Sequence, residues 1–371
     1  MKNSKPKAFV FGAGEWGKRY LPYIKEDYDV LGCLDNDVNL WNNMVEGVDT
    51  FPPSIVERRG FDVIIIAMNI TNDDKGRNIY KAVNKQLLYY KVEKSKIICA
   101  NKLPRPFNRH FIQIHLTEHC NLNCASCHHF SNIAKEEFVN ITSFEKDLSR
   151  LSELTDMDVN EILLMGGEPL LHPEVIPLID LTRKYFNRTT RILLVTNGIL
   201  LSKQPPEFWE CAKKNGLVIS ISRYPITLDI NKIKELSVKY SVTIGYFNTL
   251  NLNFFRDIKP QHIRMCKKYY DLTGNGDHTE NFNVCGWSNG CLALKNGRLY
   301  TCHIAAYSEH FFNKFGFLKE CAEDSIDIHE ANNVEELINF ISKPIPFCRF
   351  CGKFESDLEW KQSTGDISEW T

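Results

Sequence analysis

Three cysteines stand within the eight-residue string CNLNCASC, as Cys120, Cys124 and Cys127. Spaced this way on one loop, their thiolates can turn toward a common point, and soft thiolates favour iron-sulfur clusters or zinc. Three ligands leave one position open. A structural zinc site is normally closed by a fourth protein ligand, which His119, His128 or His129 could supply, so spacing alone weighs cluster and zinc equally. The chain holds thirteen cysteines, an odd number, and their close gaps fit ligation better than a disulfide framework. Thiolates of this kind belong in a reducing compartment. The start MKNSKPKAFVFGAG has too short an apolar run for an export signal, and no stretch nears the roughly 20 apolar residues of a membrane helix. The expectation is a cytoplasmic protein without a membrane span. Lys and Arg total 45 against 46 for Asp and Glu, so no bulk basic field points to nucleic acid.

Around this loop the chain reads as α/β throughout. Residues 7–100 alternate short apolar runs (7–11, 30–34, 63–68, 96–99) with helical stretches such as 16–25, the pattern of a parallel sheet covered on both faces. A proline-bearing stretch, Asn101 to Phe107, reads as a linker. Strand and helix then alternate again, with strands at 111–116, 161–165, 191–196, 217–222 and 242–247. A helix over 142–154 opens with a capping box of Thr142 and Glu145, and Pro173 suits a first helical position. Beyond about Asp271 the pattern breaks, leaving a hairpin over 292–300 that turns at Asn296-Gly297 and a helix near 334–341. The expected division is 1–104, 105–275 and 276–371.

The cysteine loop follows the first strand of the second series, at the strand end where barrel folds carry their chemistry. The next strand ends in Gly166, Gly167, Glu168 and Pro169. A glycine pair lets backbone approach a ligand closely, and a carboxylate can accept from an ammonium group. Together these residues resemble the radical S-adenosylmethionine (SAM) enzymes over about residues 108–270. The resemblance implies a partial (β/α)6 barrel and a 4Fe-4S cluster on Cys120, Cys124 and Cys127, whose open iron takes SAM. It further implies SAM contacts at Gly166, Gly167 and Glu168, and polar contacts from the later strand ends, Thr196, Asn197 and Gly198, then Ser220, Ser222 and Arg223. The family commonly has an aromatic residue before the third cysteine. Here Ser126 stands there, with Phe130 or His128 as substitutes.

Cys285, Cys302 and the pair Cys348 and Cys351 form a second constellation in which four thiolates close a site for zinc or iron-sulfur. The string CGWSNGCLALKNGRLYTC resembles the SPASM or shorter twitch extension of radical SAM enzymes, twitch being the nearer match, which implies an auxiliary 4Fe-4S cluster. Cys291 competes with Cys285 for the first position. Cys33, Cys99, Cys211, Cys266 and Cys321 stand alone and read as small buried hydrophobes.

Near the start, Gly12, Gly14 and Gly17 form GxGxxG between strand and helix, with Asp35 ending the second strand where a ribose-binding acid is expected. Glu15 would repel a pyrophosphate there. This segment resembles Rossmann-like domains attached to enzymes of nucleotide-sugar and surface-polysaccharide metabolism. A bound nucleotide or nucleotide-sugar and a structural or docking role stand equal.

The family resemblance implies an enzyme that reductively cleaves SAM to a 5'-deoxyadenosyl radical and abstracts hydrogen from a small molecule, such as a nucleotide-linked sugar or polysaccharide precursor. An electron donor such as flavodoxin or ferredoxin is implied. The alternatives are modification of a ribosomal peptide and a non-enzymatic zinc or iron-sulfur binding protein. Tyr224, Tyr300 and His303 are candidate proton or hydrogen donors.

Overall fold

The computed structural model describes residues 4–70, 73–246, 265–316 and 322–371. Phe247 and Cys321, both invoked above, lie outside the described residues. The chain divides into two compact units: Met1–Pro104 with Thr279–Gly286, and Arg105–His278 with Trp287–Thr371.

The first unit contains β1 (Lys7–Phe11), α1 (Glu15–Asp27), β2 (Asp29–Leu34), β3 (Met44–Val45), β4 (Val48–Phe51), β5 (Val63–Ile66), α2 (Asp74–Tyr89) and β6 (Ile97–Cys99). Its sheet runs β3-β4-β2-β1-β5-β6, parallel except for the β3-β4 pair. Side chains alternate across a strand, so β1 feeds two cores. Phe9 and Phe11 pack in one with Tyr80 and Leu87 of α2, while Ala8 and Val10 pack in the other with Leu21 and Ile24 of α1. The glycine motif makes this packing tight. A Cβ on Gly17 would lie 2.1 Å from the Gly12 carbonyl oxygen, and Gly12 itself has φ +112°.

The second unit contains β7 (Phe111–Thr117), α3 (Ile141–Leu154), β8 (Glu161–Gly166), α4 (Val175–Tyr185), β9 (Arg191–Thr196), α5 (Pro206–Asn215), β10 (Val218–Ile221), α6 (Ile230–Tyr240), β11 (Thr243–Tyr246) and β12 (Met265–Tyr270). There follow α7 (His278–Val284), which from Thr279 groups with the first unit, β13 (Cys291–Lys295), β14 (Arg298–Tyr300), α8 (His303–Phe315), β15 (Ser325–Asp327), α9 (Val334–Ile341) and β16 (Cys351–Leu358). The large sheet runs β11-β10-β9-β8-β7-β13-β14-β15, and β12 pairs with β16 separately. Strands β7 to β11 are mutually parallel, and β13 adds to β7 in parallel before the chain reverses through Asn296 and Gly297, both at positive φ as the hairpin requires. Among the described residues this sheet is open, so the expected partial barrel is a parallel run extended on the β7 side.

Both faces of the parallel strands are apolar, and the faces differ in use. Ile162, Leu164, Ile192 and Leu194 join the large core under the helices. Leu163, Met165, Leu193 and Val195 form a small cluster on the opposite, inner face. Two local expectations need correction. The cap of α3 is Asn140, whose side chain accepts from the Thr142 and Ser143 amides, and Glu145 is drawn away to Lys184 and Tyr185. Helix α4 begins at Val175, which leaves Pro173 just outside it. No described helix is long and apolar enough to cross a membrane.

The Gly17 contact yields a test of the first unit. Ala at a helix position gains about 1 kcal/mol of propensity over Gly, but overpacking costs about 1–3 kcal/mol, and a backbone oxygen cannot rotate away. Gly17→Ala is therefore expected to lower the denaturant midpoint of the first unit despite the better helix former; an unchanged or raised midpoint would contradict the packing account.

Candidate active site

Strand β7 ends at Thr117, and the cysteine loop starts three residues later. Each of its sulfurs is met by hydrogen-bond donors. The Leu122 amide lies 3.4 Å from Cys120 Sγ and the Asn197 side-chain amide 3.8 Å from it. Trp360 Nε1 donates to Cys124 Sγ at 3.1 Å, and the Tyr224 hydroxyl also bonds this sulfur. The amides of His129, Phe130, Ser131 and Asn132 surround Cys127 Sγ. Burial nevertheless pushes the Cys120 and Cys124 thiols up to about 12, helped for Cys120 by Glu168 and for both by Cys127; Cys127 is raised too, again by burial. Sulfurs so arranged resist ionising alone, yet have donors ready for negative charge. That donor set suits thiolates bound to a cationic cluster.

Gly166 and Gly167 form the other lip. A Cβ on Gly166 would meet the Thr117 carbonyl oxygen at 2.2 Å, and one on Gly167 the His119 carbonyl oxygen at 1.9 Å. The glycine pair is thus required by the cysteine loop itself, whose His119 carbonyl accepts from the Glu168 amide at 3.1 Å. Both glycines line the central cavity, along with Asn197 and Ser222. Glu168 is fully buried. Its carboxylate accepts from Thr196 Oγ1 at 2.6 Å, the Asn197 amide at 2.8 Å and the Leu170 amide at 3.1 Å. Burial raises its pKa to about 7 against these bonds, which lower it. Glu168 fastens the end of β8 to the end of β9. Arg223 turns to Tyr246, whose hydroxyl accepts from it at 3.2 Å.

The cavity holds about 720 Å³. Its floor is the inner apolar cluster with Phe111 and Val218, and one wall is polar. There Gln113 donates to Cys291 Sγ at 2.8 Å, Cys291 lies 3.1 Å from His303 Nδ1, and His129 Nδ1 lies 2.8 Å from His115 Nε2. Burial lowers His303 to about 3 and His128 to about 4, so this wall is uncharged at neutral pH. Tyr224 and His303 line the cavity, and so does Cys266, read above as a core residue; Tyr300 does not. The polar wall was not foreseen. Its signal in the sequence was the inward register of Gln113 and His115 on β7, polar residues inside an otherwise apolar strand.

His128 and His129, offered above as zinc ligands, are engaged in this wall: His128 packs on Trp287 and His129 on His303. Among the described residues no three His, Cys, Asp or Glu side chains gather closely enough for a single metal ion. Of the second constellation, Cys302 precedes α8, Cys348 sits in the turn Pro346–Phe350 and Cys351 opens β16. Tyr270 stands opposite Cys351 in the β12-β16 register, and its buried hydroxyl has no hydrogen-bond partner among the described residues. Burial first, then the thiols of Cys351, Cys302, Cys127 and Cys266, raise its pKa, so it faces sulfur from both constellations. Cys285 belongs to the segment grouped with the first unit, where its carbonyl accepts from Lys102 Nζ at 2.6 Å. In that unit Asp35 accepts from the Ala13 amide at 2.8 Å, pinning the glycine turn, and exposed Glu15 pairs with Lys18.

Comparison with known proteins follows these divisions. Residues 114–235 match the family model of the radical SAM superfamily, and residues 4–98 match the model described as C2185-like, N-terminal. The chain is 34% identical over 179 residues to a GTP 3',8-cyclase of Clostridium botulinum (strain Okra / Type B1), covering 43% of this chain and 53% of that protein. It is 41% identical over 106 residues to molybdenum cofactor biosynthesis protein 1 of Dictyostelium discoideum, covering 26% and 16%. The chain thus spans about half the length of the first of these relatives and less of the second. A crystal structure of BtrN in complex with AdoMet and 2-DOIA is similar at 14% identity and a TM-score of 0.38, over 67% of this chain and 94% of that one. Residues 114–235 thus carry a radical SAM domain, the mark of a superfamily of enzymes that use a 4Fe-4S cluster and S-adenosylmethionine.

Proposed function

We propose that this chain holds a 4Fe-4S cluster on Cys120, Cys124 and Cys127, takes SAM at the open iron, and removes hydrogen from a small molecule in the cavity. The observation that carries this reading is the set of three sulfurs, each met by donors, that line one apolar-floored cavity. When bound and reduced by one electron, the cluster and SAM supply a 5'-deoxyadenosyl radical.

The chain's own residues bind and orient. Gly166 and Gly167 offer bare backbone to the SAM amino group, and Asn197 and Ser222 offer polar groups from the same rim. Glu168, fully buried behind the cavity lining, contributes by holding that rim together. Arg223, the remaining contact expected at the end of β10, has its guanidinium bonded to the Tyr246 hydroxyl. The apolar floor keeps water from a reactive intermediate, and the imidazole wall suits the hydroxyl or base edges of a polar substrate. Partial similarity to a GTP 3',8-cyclase favours a nucleotide-bearing substrate, such as a nucleotide-linked sugar, over a ribosomal peptide. A reducing cytoplasm and a flavodoxin- or ferredoxin-type donor would sustain the cluster.

Function divides along the chain as 1–104, 105–275 and 276–371, the last part carrying an auxiliary cluster. Cys302, Cys348 and Cys351, all in the second unit, are its ligands on this reading. Cys291 is engaged by Gln113 and His303 and fits the cavity wall better. The orphaned Tyr270 hydroxyl supports the auxiliary cluster, because a cluster sulfur would give it an acceptor.

Anaerobic purification tests the reading first: a colourless protein holding zinc without iron or sulfide would end it. Reconstituted protein with dithionite and SAM should yield 5'-deoxyadenosine, whereas Cys124→Ala should lose about four irons per chain and yield none above background by mass spectrometry. Cys351→Ala should lose a similar complement of iron yet keep SAM cleavage, with product formation impaired; loss of both activities together would refute separate roles. Glu168→Gln should cost about 1–3 kcal/mol in denaturant unfolding, because its NH2 must face one of three donors. Unchanged stability would contradict the fastening role.

A further inference from the structure

The segment from Trp360 to Trp370 has no part in either constellation, yet it is bonded to the cysteine loop along its length. Gln362 forms an antiparallel bridge with Cys124, the Ala125 amide donates to the Lys361 carbonyl at 3.0 Å, and the Ser363 amide donates to the Asn123 carbonyl at 3.0 Å. The Asn123 side chain donates to the Ser363 carbonyl at 3.0 Å, and Ser126 Oγ to the Glu369 carbonyl at 2.7 Å. Trp370, fully buried, donates through Nε1 to the Cys127 carbonyl at 3.1 Å. The segment is also braced internally, since the Glu369 carboxylate accepts from Ser363 Oγ at 2.7 Å and the Thr364 amide at 2.6 Å.

Within this strap one contact differs in kind. Trp360 Nε1 points at Cys124 Sγ itself, 3.1 Å away, while the other bonds reach backbone. An N–H aimed at a ligating sulfur stabilises the more negative, reduced form of a cluster, and hydrogen bonds to the sulfurs are among the factors that set cluster potentials. The strap therefore supplies from the far end of the sequence what the loop's own amides supply to Cys127. It also accounts for Ser126, whose hydroxyl anchors the strap where an aromatic side chain would have displaced it.

We infer that Trp360 is a positioning residue that raises the reduction potential of the cluster held by Cys120, Cys124 and Cys127, delivered to Cys124 by a strap closed over the loop. This rests on the cluster reading above. Trp360→Phe keeps an aromatic ring and removes the N–H, so it tests the bond more than the packing. In anaerobically reconstituted full-length protein, the cluster signal is identified by its change in the electron paramagnetic resonance spectrum on adding SAM, and its midpoint potential is then titrated without SAM. The expected result is wild-type iron and sulfide content with a more negative midpoint in Trp360→Phe. An unchanged or more positive midpoint would overturn the inference. So would loss of the cluster from the variant alone, which would make Trp360 a holder and not a tuner. Failure of the wild-type protein to bind iron would instead defeat the cluster reading itself.

Discussion

Gly166 and Gly167 run so close to Thr117 and His119 that a methyl group on either would lie within about 2.2 Å of a carbonyl oxygen. Much else depends on this contact. It seats the cysteine loop against the end of β8, and through Glu168 it links that loop to the end of β9, because the same carboxylate takes bonds from Thr196, Asn197 and Leu170. Three consecutive strand ends and the loop are thereby held as one rim. A cluster whose reactivity depends on where a bound molecule lies needs such a rim, since small misplacements of reacting atoms cost large factors in rate.

The sulfurs of this rim are held by hydrogen-bond donors. Burial in a medium of low polarity penalises a lone thiolate strongly, and three close together repel one another. Donor bonds offset part of this cost, and positive charge would offset the rest; the Glu168 carboxylate, which acts on Cys120, has the wrong sign. A cationic iron cluster fits the deficit. The polar wall across the cavity follows the opposite logic, with imidazoles kept neutral by burial so that they can donate or accept without creating charge beside the loop.

Much of this was legible in the sequence, and the reason is locality. The strand ranges of the parallel series, the hairpin at Asn296-Gly297 and the helix Val334–Ile341 are set by period and turn chemistry within a few residues, and the structure agrees with them. The short CxxxCxxC spacing is local too. Expectations failed where neighbours compete: Asn140 is a better cap than Thr142 because its side chain reaches two amides, and Glu145 finds Lys184 instead. The strap was invisible because its bonds join residues more than 230 apart, as between Trp360 and Cys124, and its sequence has no period to betray it. The insertion of β13 beside β7 was hidden for the same reason: Cys291–Lys295 reads only as half of a hairpin, and nothing local says that its other edge pairs with a distant strand.

The two glycine motifs show how far such reading should be carried. Both suggested a ligand approaching bare backbone, yet in both the missing side chain first makes room for protein. Gly17 admits the Gly12 carbonyl under α1, and Gly167 admits the His119 carbonyl under the cysteine loop. The difference lies in what surrounds them. In the first unit, Asp35 is already bonded to the glycine turn, so the acid expected for a ribose is occupied by the Ala13 amide. In the second, Gly166 and Gly167 also face a cavity shared with three thiols and polar strand ends. A glycine motif becomes evidence for a ligand only when the groups around it are left without protein partners enough to satisfy them, and by that measure the loop at Cys120 is the stronger site of the two.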